Sequence, residues 1–298
     1  MSNVLKINKL TKRFNKLTAV SQLDLTIEKG QVYGILGPNG SGKTTTLGMI
    51  LEVITPTSGN FEWFGGLTNV EARQKIGSIL ETPNFYSYLS AIQNLRVVAH
   101  IKKSDPNRID GILQQVNLYK RRNDKFKTYS LGMKQRLSLA AALLSDPPVL
   151  LLDEPTNGLD PEGIAEVRQL ISNVASEGKT IIMASHLLDE VQKVCTHFCI
   201  LKKGVKLYNG AVDEILGETN VVDIFSDNLD QLKNITEKFN GAENIEAENG
   251  SLKVFLKEGQ SSQELNKYCF EQGVILNKLT PQSKSLEQEF LKILKEND

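Results

Sequence analysis

Two stretches of this 298-residue chain have residue types and spacing suited to phosphate chemistry. Gly37-Pro38-Asn39-Gly40-Ser41-Gly42-Lys43-Thr44 fits the pattern G-x-x-x-x-G-K-[ST] in full, between an apolar run, Val32 to Leu36, and a helical stretch, Thr44 to Leu51. Glycines let backbone N–H groups wrap phosphate oxygens closely, and a helix start adds positive potential beneath them. Lys43 would reach the outer phosphates. Thr44 would offer its hydroxyl to Mg²⁺, an ion that takes oxygen ligands and keeps several waters. Further on, Leu150-Leu151-Leu152-Asp153-Glu154 sets two carboxylates at the end of an apolar strand, where a parallel sheet presents ligands. Asp153 suits the cation, directly or through water, and Glu154 suits a general base that polarises an attacking water. Taken alone, an Asp-Glu-Pro run can also do no more than end a strand and begin a turn.

These residues need a scaffold, and the length allows one sizeable core plus a smaller second domain. Short apolar stretches from Leu5 to about Leu36 predict strands, mostly antiparallel. Helical spacing dominates from about 82 to 145, over Ala91 to Ile101, Ile109 to Val116 and Leu131 to Leu144, which predicts a helical insert. Strand-then-helix alternation resumes with Val149 to Leu152, Pro161 to Ala175, Thr180 to Met183 and a helix near Leu187, as in a parallel sheet with helices on its faces. After Gly217 the chain becomes rich in Asn, Glu and Lys. A strand, helix, strand, helix, strand, helix rhythm is expected over Val221 to Phe225, Leu229 to Phe239, Leu252 to Leu256, Gln263 to Glu271, Val274 to Leu279 and Leu286 to Leu294. The expected domains are therefore 1–217 and a small α+β accessory domain, 218–298, which could regulate, dimerise or only stabilise.

Between the two phosphate-directed stretches lies Tyr129-Ser130-Leu131-Gly132-Met133-Lys134-Gln135-Arg136, which resembles the signature sequence of ATP-binding cassette (ABC) ATPases, with Leu131 for the first Gly and Met133 for the usual Gln. Asp153-Glu154-Pro155-Thr156-Asn157-Gly158-Leu159-Asp160 resembles the Walker B strand running into the D-loop, and Ala184-Ser185-His186 the switch histidine. The resemblance covers about Leu5 to Gly217. It implies an α/β P-loop fold, with a mixed sheet, an antiparallel β subdomain and the helical insert, that binds and hydrolyses ATP with Mg²⁺. It also implies a head-to-tail dimer, each nucleotide sandwiched between one copy's P-loop and the other's signature. Gly37 to Thr44, Thr45 and Asp160 would then belong to the nucleotide site, with Lys43, Glu154 and His186 catalytic. Ser130 and the Gly132 amide would meet the γ-phosphate from the opposite copy at a helix start, although a plain N-cap serine fits the same residues. His186 would sense the γ-phosphate and orient water, where a structural histidine is the competing account. Phe14 stands where the family stacks an aromatic ring on adenine, and core packing is its rival.

The family's Gln after the strand opening the helical insert is here Glu81, following Ile76-Gly77-Ser78-Ile79-Leu80. A carboxylate can still ligate Mg²⁺, and it brings negative charge close to ATP. With the altered signature, this resembles the branch that includes bacitracin-resistance and lantibiotic-immunity transporters. The resemblance implies export of a peptide antibiotic or similar amphipathic compound through separate membrane-spanning permease subunits. The alternative is a soluble cassette ATPase acting on ribosomes or DNA, but the chain has one cassette and no sustained heptads. A P-loop kinase or GTPase would leave the signature, D-loop and His186 unexplained.

Composition narrows the classes further. Lys plus Arg equals Asp plus Glu at 35 each, so no global field draws the protein onto nucleic acid or an anionic membrane. Three cysteines fit a reducing compartment, and Met1 to Lys6 lacks the layout of a secretion signal. Apolar runs fall short of the ~20 residues that cross a bilayer, so the expected location is cytoplasmic, peripheral on the inner membrane face through the permease. Cys195-Thr196-His197-Phe198-Cys199 alternates like a strand entering the core rather than a metal cluster. Lys120-Arg121-Arg122 and Lys202-Lys203-Gly204 read as solvated turns.

Overall fold

Val32 to Leu36 and Val149 to Asp153 are buried at every position, so each can only be an interior strand covered on both faces. The computed structural model describes residues 3–67, 69–80, 84–215, 218–248, 250–257, 259–283 and 286–296. Contacts divide the chain into two compact units, residues 1–212 with 292–298, and residues 213–291.

The first unit runs β1 (Asn3–Phe14), β2 (Leu17–Glu28), β3 (Val32–Leu36), α1 (Lys43–Ile50), β4 (Ser58–Trp63), α2 (Asn69–Gln74), β5 (Ile76–Ile79), α3 (Ala91–Lys102), α4 (Arg108–Gln115), α5 (Leu131–Leu143), β6 (Val149–Asp153), α6 (Pro161–Ser176), β7 (Thr180–Ser185), α7 (Leu188–Val194), β8 (His197–Lys202) and β9 (Val205–Ala211). A six-stranded sheet has the order β5-β6-β7-β3-β8-β9. Its pairs are parallel except the antiparallel edge pair β8 and β9. A second, antiparallel sheet of order β2-β1-β4 lies over it. Alternate residues of the long strands, among them Leu5, Ile7, Leu23 and Ile27, join Leu47, Ile50, Val149, Leu151 and Ile182 in one buried cluster between the sheets. The Trp63 indole nitrogen, buried with them, donates to the Ile50 carbonyl at 2.8 Å.

The helical insert returns to the sheet through α5, which packs on β5 where Gly77 leaves room. A Cβ at Gly77 would stand 2.3 Å from the Ala142 carbonyl oxygen and 2.8 Å from a Leu150 methyl. Cys195 and Cys199 are buried thiols in and beside β8. Burial pushes the Cys199 thiol up to about 12 and raises that of Cys195 further.

The second unit follows α8 (Val212–Ile215) with β10 (Glu218–Phe225), α9 (Leu229–Thr236), β11 (Ala242–Glu248), β12 (Ser251–Leu256), α10 (Ser262–Glu271) and β13 (Lys278–Ser283), and the chain ends on α11 (Leu286–Glu296). The strand order β11-β12-β10-β13, all antiparallel, is a split βαβ arrangement around Val222, Ile224, Leu232, Val254 and Leu265. It corrects the expected rhythm twice. β11 is an additional edge strand, overlooked because Ala-Glu-Asn-Ile-Glu-Ala-Glu offers only Ala242 and Ile245 to the core. The last strand begins at Lys278, not Val274, since pairing with β10 starts where Lys278 faces Phe225.

The close approach at Gly77 gives a stability test. Gly77→Ala should lower the unfolding free energy by about 1–3 kcal/mol through overpacking. Gly111→Ala in α4, where nothing stands within 4 Å of the new methyl, should raise it by about 0.5–1 kcal/mol. Urea midpoints of the two variants moving in the same direction would refute this account of how α5 is seated.

Candidate functional site

The sheet order puts the carboxyl ends of β6, β7 and β3 side by side. Asp153 is registered with Ala184, and Leu36 with Ser185. The Gly37 N–H reaches the Ser185 carbonyl at 3.4 Å, and the Glu154 N–H donates to the Ala184 carbonyl at 3.0 Å. Residues far apart in sequence therefore leave the sheet at one edge.

The glycine-rich loop turns immediately after β3. A Cβ on Gly37 would meet the Leu201 carbonyl oxygen at 2.3 Å. Gly42, the residue before α1, has φ 107° and would place a Cβ 2.5 Å from the Ala19 carbonyl oxygen, so both geometry and space demand glycine. Ser41 N–H closes the turn onto the Pro38 carbonyl at 3.1 Å. The Ser41 hydroxyl is buried and has no hydrogen-bond partner among the described residues. Pro38, Asn39, Gly40 and Thr44 are exposed, and Thr45 is half-buried.

Lys43 is buried, at 5 % exposure, and its ammonium donates to the carbonyls of Gly37 at 2.8 Å and Pro38 at 3.3 Å. One Glu154 carboxylate oxygen lies 3.2 Å from the same nitrogen. The other lies 2.8 Å from His186 Nδ1 and accepts from the His186 backbone N–H at 3.4 Å. Glu154 holds φ at 46°, a left-handed backbone costing about 1–2 kcal/mol for a residue with a Cβ. Asp153 is buried beside it at the end of β6. The structure thus brings Lys43, Glu154 and His186 into direct contact beneath the loop.

Ser130, Gly132 and Asp160 belong to a separate cavity of about 460 Å³, lined also by Leu131, Gly158 and Leu159. Ser130 caps α5, its hydroxyl accepting from Met133 N–H at 3.3 Å. Asp160 caps α6 above Pro161, accepting from Gly163 N–H at 2.9 Å. Arg136, which with Glu166 lines this cavity, reaches Glu166 at 3.6 Å and ties α5 to α6. No sequence pattern points to that pairing, because its members lie on different helices.

The Phe14 ring is 44 % exposed at the end of β1, with the Lys12 ammonium 4.8 Å above it, so core packing does not account for it. Glu81 lies outside the described residues. Among the described residues no helix is long and apolar enough to cross a membrane.

Residues 20–157 match the family model described as ABC transporter. The chain is 38% identical to the bacitracin transport ATP-binding protein BcrA of Bacillus licheniformis, over 99% of this chain and 98% of that protein. It is 37% identical to the lantibiotic transport ATP-binding protein SrtF of Streptococcus pyogenes, over 76% of this chain and 97% of the relative. Among solved structures, a dimeric ATP-binding cassette in a post-hydrolysis state, bound to ADP and phosphate, superposes with a TM-score of 0.62 at 26% identity, covering 70% of this chain and 98% of that one. By sequence and by fold, the chain belongs to the ABC transporter family, as an ATP-binding subunit that hydrolyses ATP.

Proposed function

We propose that the chain energises export of a peptide antibiotic or similar amphipathic compound through separate permease subunits, working as a head-to-tail dimer at the inner membrane face. The observation that carries the catalytic part is the contact of one Glu154 carboxylate with both Lys43 and His186 at the edge where three strands end. The names of the bacitracin and lantibiotic relatives support the transported class. The related dimeric cassette supports the pairing of two copies. Nothing in the site favours a ribosomal or DNA role. Residues 1–217, with the helical subdomain at about 82–145, act as the ATPase domain, and 218–298 as an accessory domain.

In this reading the loop from Gly37 to Gly42 wraps the phosphates: Asn39, Gly40 and Gly42 present backbone N–H groups, while Gly37, Ser41 and Pro38, which has no N–H, shape the turn, with Thr45 behind them. Lys43 exchanges its loop carbonyls for phosphate oxygens, an acceptor richer in charge. Glu154, held by His186, takes the proton of the attacking water, and His186 orients that water toward the γ-phosphate. Phe14, its ring accessible, stacks on adenine. Ser130 and Gly132 of the second copy close over the γ-phosphate, with Asp160 beside them. The oxygen donors Thr44, exposed on the first turn of α1, and Asp153, at the end of β6, fit Mg²⁺, and Glu81 is assigned to the same ion. Bound there, Mg²⁺ would neutralise charge on the phosphates.

Glu154→Gln removes the base and keeps the shape. ATP hydrolysis should fall by about 10²–10⁴-fold, and light scattering with ATP and Mg²⁺ should show a monomer becoming a stable dimer. A nucleotide-bound variant that stays monomeric even with its permease present would sink the sandwich arrangement. Glu81→Gln should raise the Mg²⁺ concentration needed for half-maximal hydrolysis; an unchanged Mg²⁺ dependence and unchanged coupling to the permease would remove Glu81 from the site. Deleting the gene should sensitise its host to bacitracin or a lantibiotic, and unaltered sensitivity to both classes would refute the assigned substrate.

A further inference from the structure

His186 is the most exposed member of the cluster it forms with Glu154 and Lys43, and its ring is held through Nδ1 by Glu154 at 2.8 Å. Its backbone lies between the end of β7 at Ser185 and the start of α7 at Leu188. The Ser185 hydroxyl accepts from Leu187 N–H at 3.0 Å, and α7 opens without a side-chain cap. A helix of seven residues is not stable in water by itself. The packing that seats α7 therefore also sets the position of the histidine.

Two consecutive residues seat it. Val191, fully buried, lies against β3, where a Cβ at Gly34 would stand 3.1 Å from one of its methyl carbons. An apolar contact is non-directional, so it fixes the distance of α7 from the sheet and leaves rotation and sliding open. Glu190, one helical turn after His186 and 2 % exposed, supplies direction. One of its oxygens accepts from the Arg168 guanidinium of α6 at 3.3 Å, and the other is buried with no hydrogen-bond partner among the described residues. Burial pushes the Glu190 carboxyl up from its ordinary pKa, and Arg168 draws it back. Arg168 also stands 3.8 Å from Asp189, but that carboxylate is 65 % exposed and bound by Lys193 at 2.7 Å.

A buried ion pair is weak grounds for stability, because apolar side chains of similar volume commonly serve as well in its place. What a charged, hydrogen-bonded pair adds is a fixed distance and direction. In the chain α6 follows Glu154 and α7 follows His186, so this pair joins the helix behind the carboxylate to the helix behind the histidine. We propose that Arg168 and Glu190 are positioning residues for hydrolysis, locking α7 to α6 so that the His186 ring keeps its contact with Glu154. Loss of the pair frees α7 to turn about Val191, and the Nδ1 contact one helical turn away opens. The proposal rests on the reading of Glu154 and His186 as the hydrolytic pair, and adds two residues that stand outside their cluster.

Phosphate release from radiolabelled ATP by the full chain tests it in a double-mutant cycle. Arg168→Met, which keeps the length and removes the charge, should lower kcat by about ten- to a hundredfold, as a misplaced catalytic group does, and leave KM for ATP little changed. In a His186→Ala background the same substitution should cost nothing further, because the side chain it positions is gone. Arg168→Lys should recover most of the rate, and Asp189→Asn, at the exposed carboxylate, should hydrolyse like the unaltered chain. The chain has three histidines, so the ring signals of His186 can be followed by NMR. Arg168→Met should shift them and leave those of His100 and His197 in place. Glu190→Gln keeps the side-chain shape and should give the same readings at smaller size, even if the methionine variant does not fold. Unchanged kcat in Glu190→Gln and Arg168→Met beside a slow His186→Ala, or equal losses with and without His186, would overturn the proposal and leave the hydrolytic reading standing. A His186→Ala chain as fast as the unaltered one would overturn both.

Discussion

Lys43 carries a primary ammonium at 5 % exposure, and a charge so far removed from water is tolerated only when acceptors surround it. Two of its acceptors are carbonyls of its own loop and the third is the Glu154 carboxylate. That third contact couples the cradle to the acid. The second oxygen of the same carboxylate is taken by His186, so the three side chains form one electrostatic unit in which each position depends on the others. Breaking a buried pair by removing one partner commonly costs about 3–5 kcal/mol, which ties the stability of this edge to its chemistry.

The unit exists only because β6, β7 and β3 are adjacent, in that order, in a parallel sheet. Parallel neighbours need long crossovers, and each crossover here places something useful. The one from β5 to β6 contains the helical insert and ends in α5, whose N-cap is Ser130. The one from β6 to β7 contains α6, whose N-cap is Asp160. Both helix starts line the same cavity. The contact between β5 and α5, made possible by Gly77, sets where that cavity lies. One chain thus holds the Lys43, Glu154 and His186 cluster and, apart from it, a cavity lined by the starts of α5 and α6.

The parts legible in the sequence are those where backbone chemistry restricts residue type. Only glycine suits the left-handed Gly42, and only continuous apolar runs suit strands buried on both faces, so the cradle and β3, β6 and β7 stand out. Less visible was β11, whose polar pattern is what an edge strand with a single covered face allows. The Lys43 to Glu154 contact was hidden because it spans two strands separated by β7. So was the left-handed backbone of Glu154, which follows from how the chain leaves β6 rather than from any preference of glutamate. Phe14 could be read as core or as binding surface, and only the position of its ring at the hairpin end decides against the core.

Net charge is silent on local patches for a reason of scale. Salt screens exposed charges over about 8–10 Å, while a chain of this length folds into a body several times wider. A sum over 298 residues therefore averages regions that never sense one another. The helical insert keeps its surplus of eight positive charges whatever the remainder carries. Lys120-Arg121-Arg122, three residues of a solvated turn, stand in the fold with Lys125 and Lys127 along the same pinned segment and near two exposed tyrosines on the loop clipped to it. Linear spacing cannot reveal a patch assembled from two loops more than thirty residues apart, just as it cannot reveal a carboxylate shared between strands.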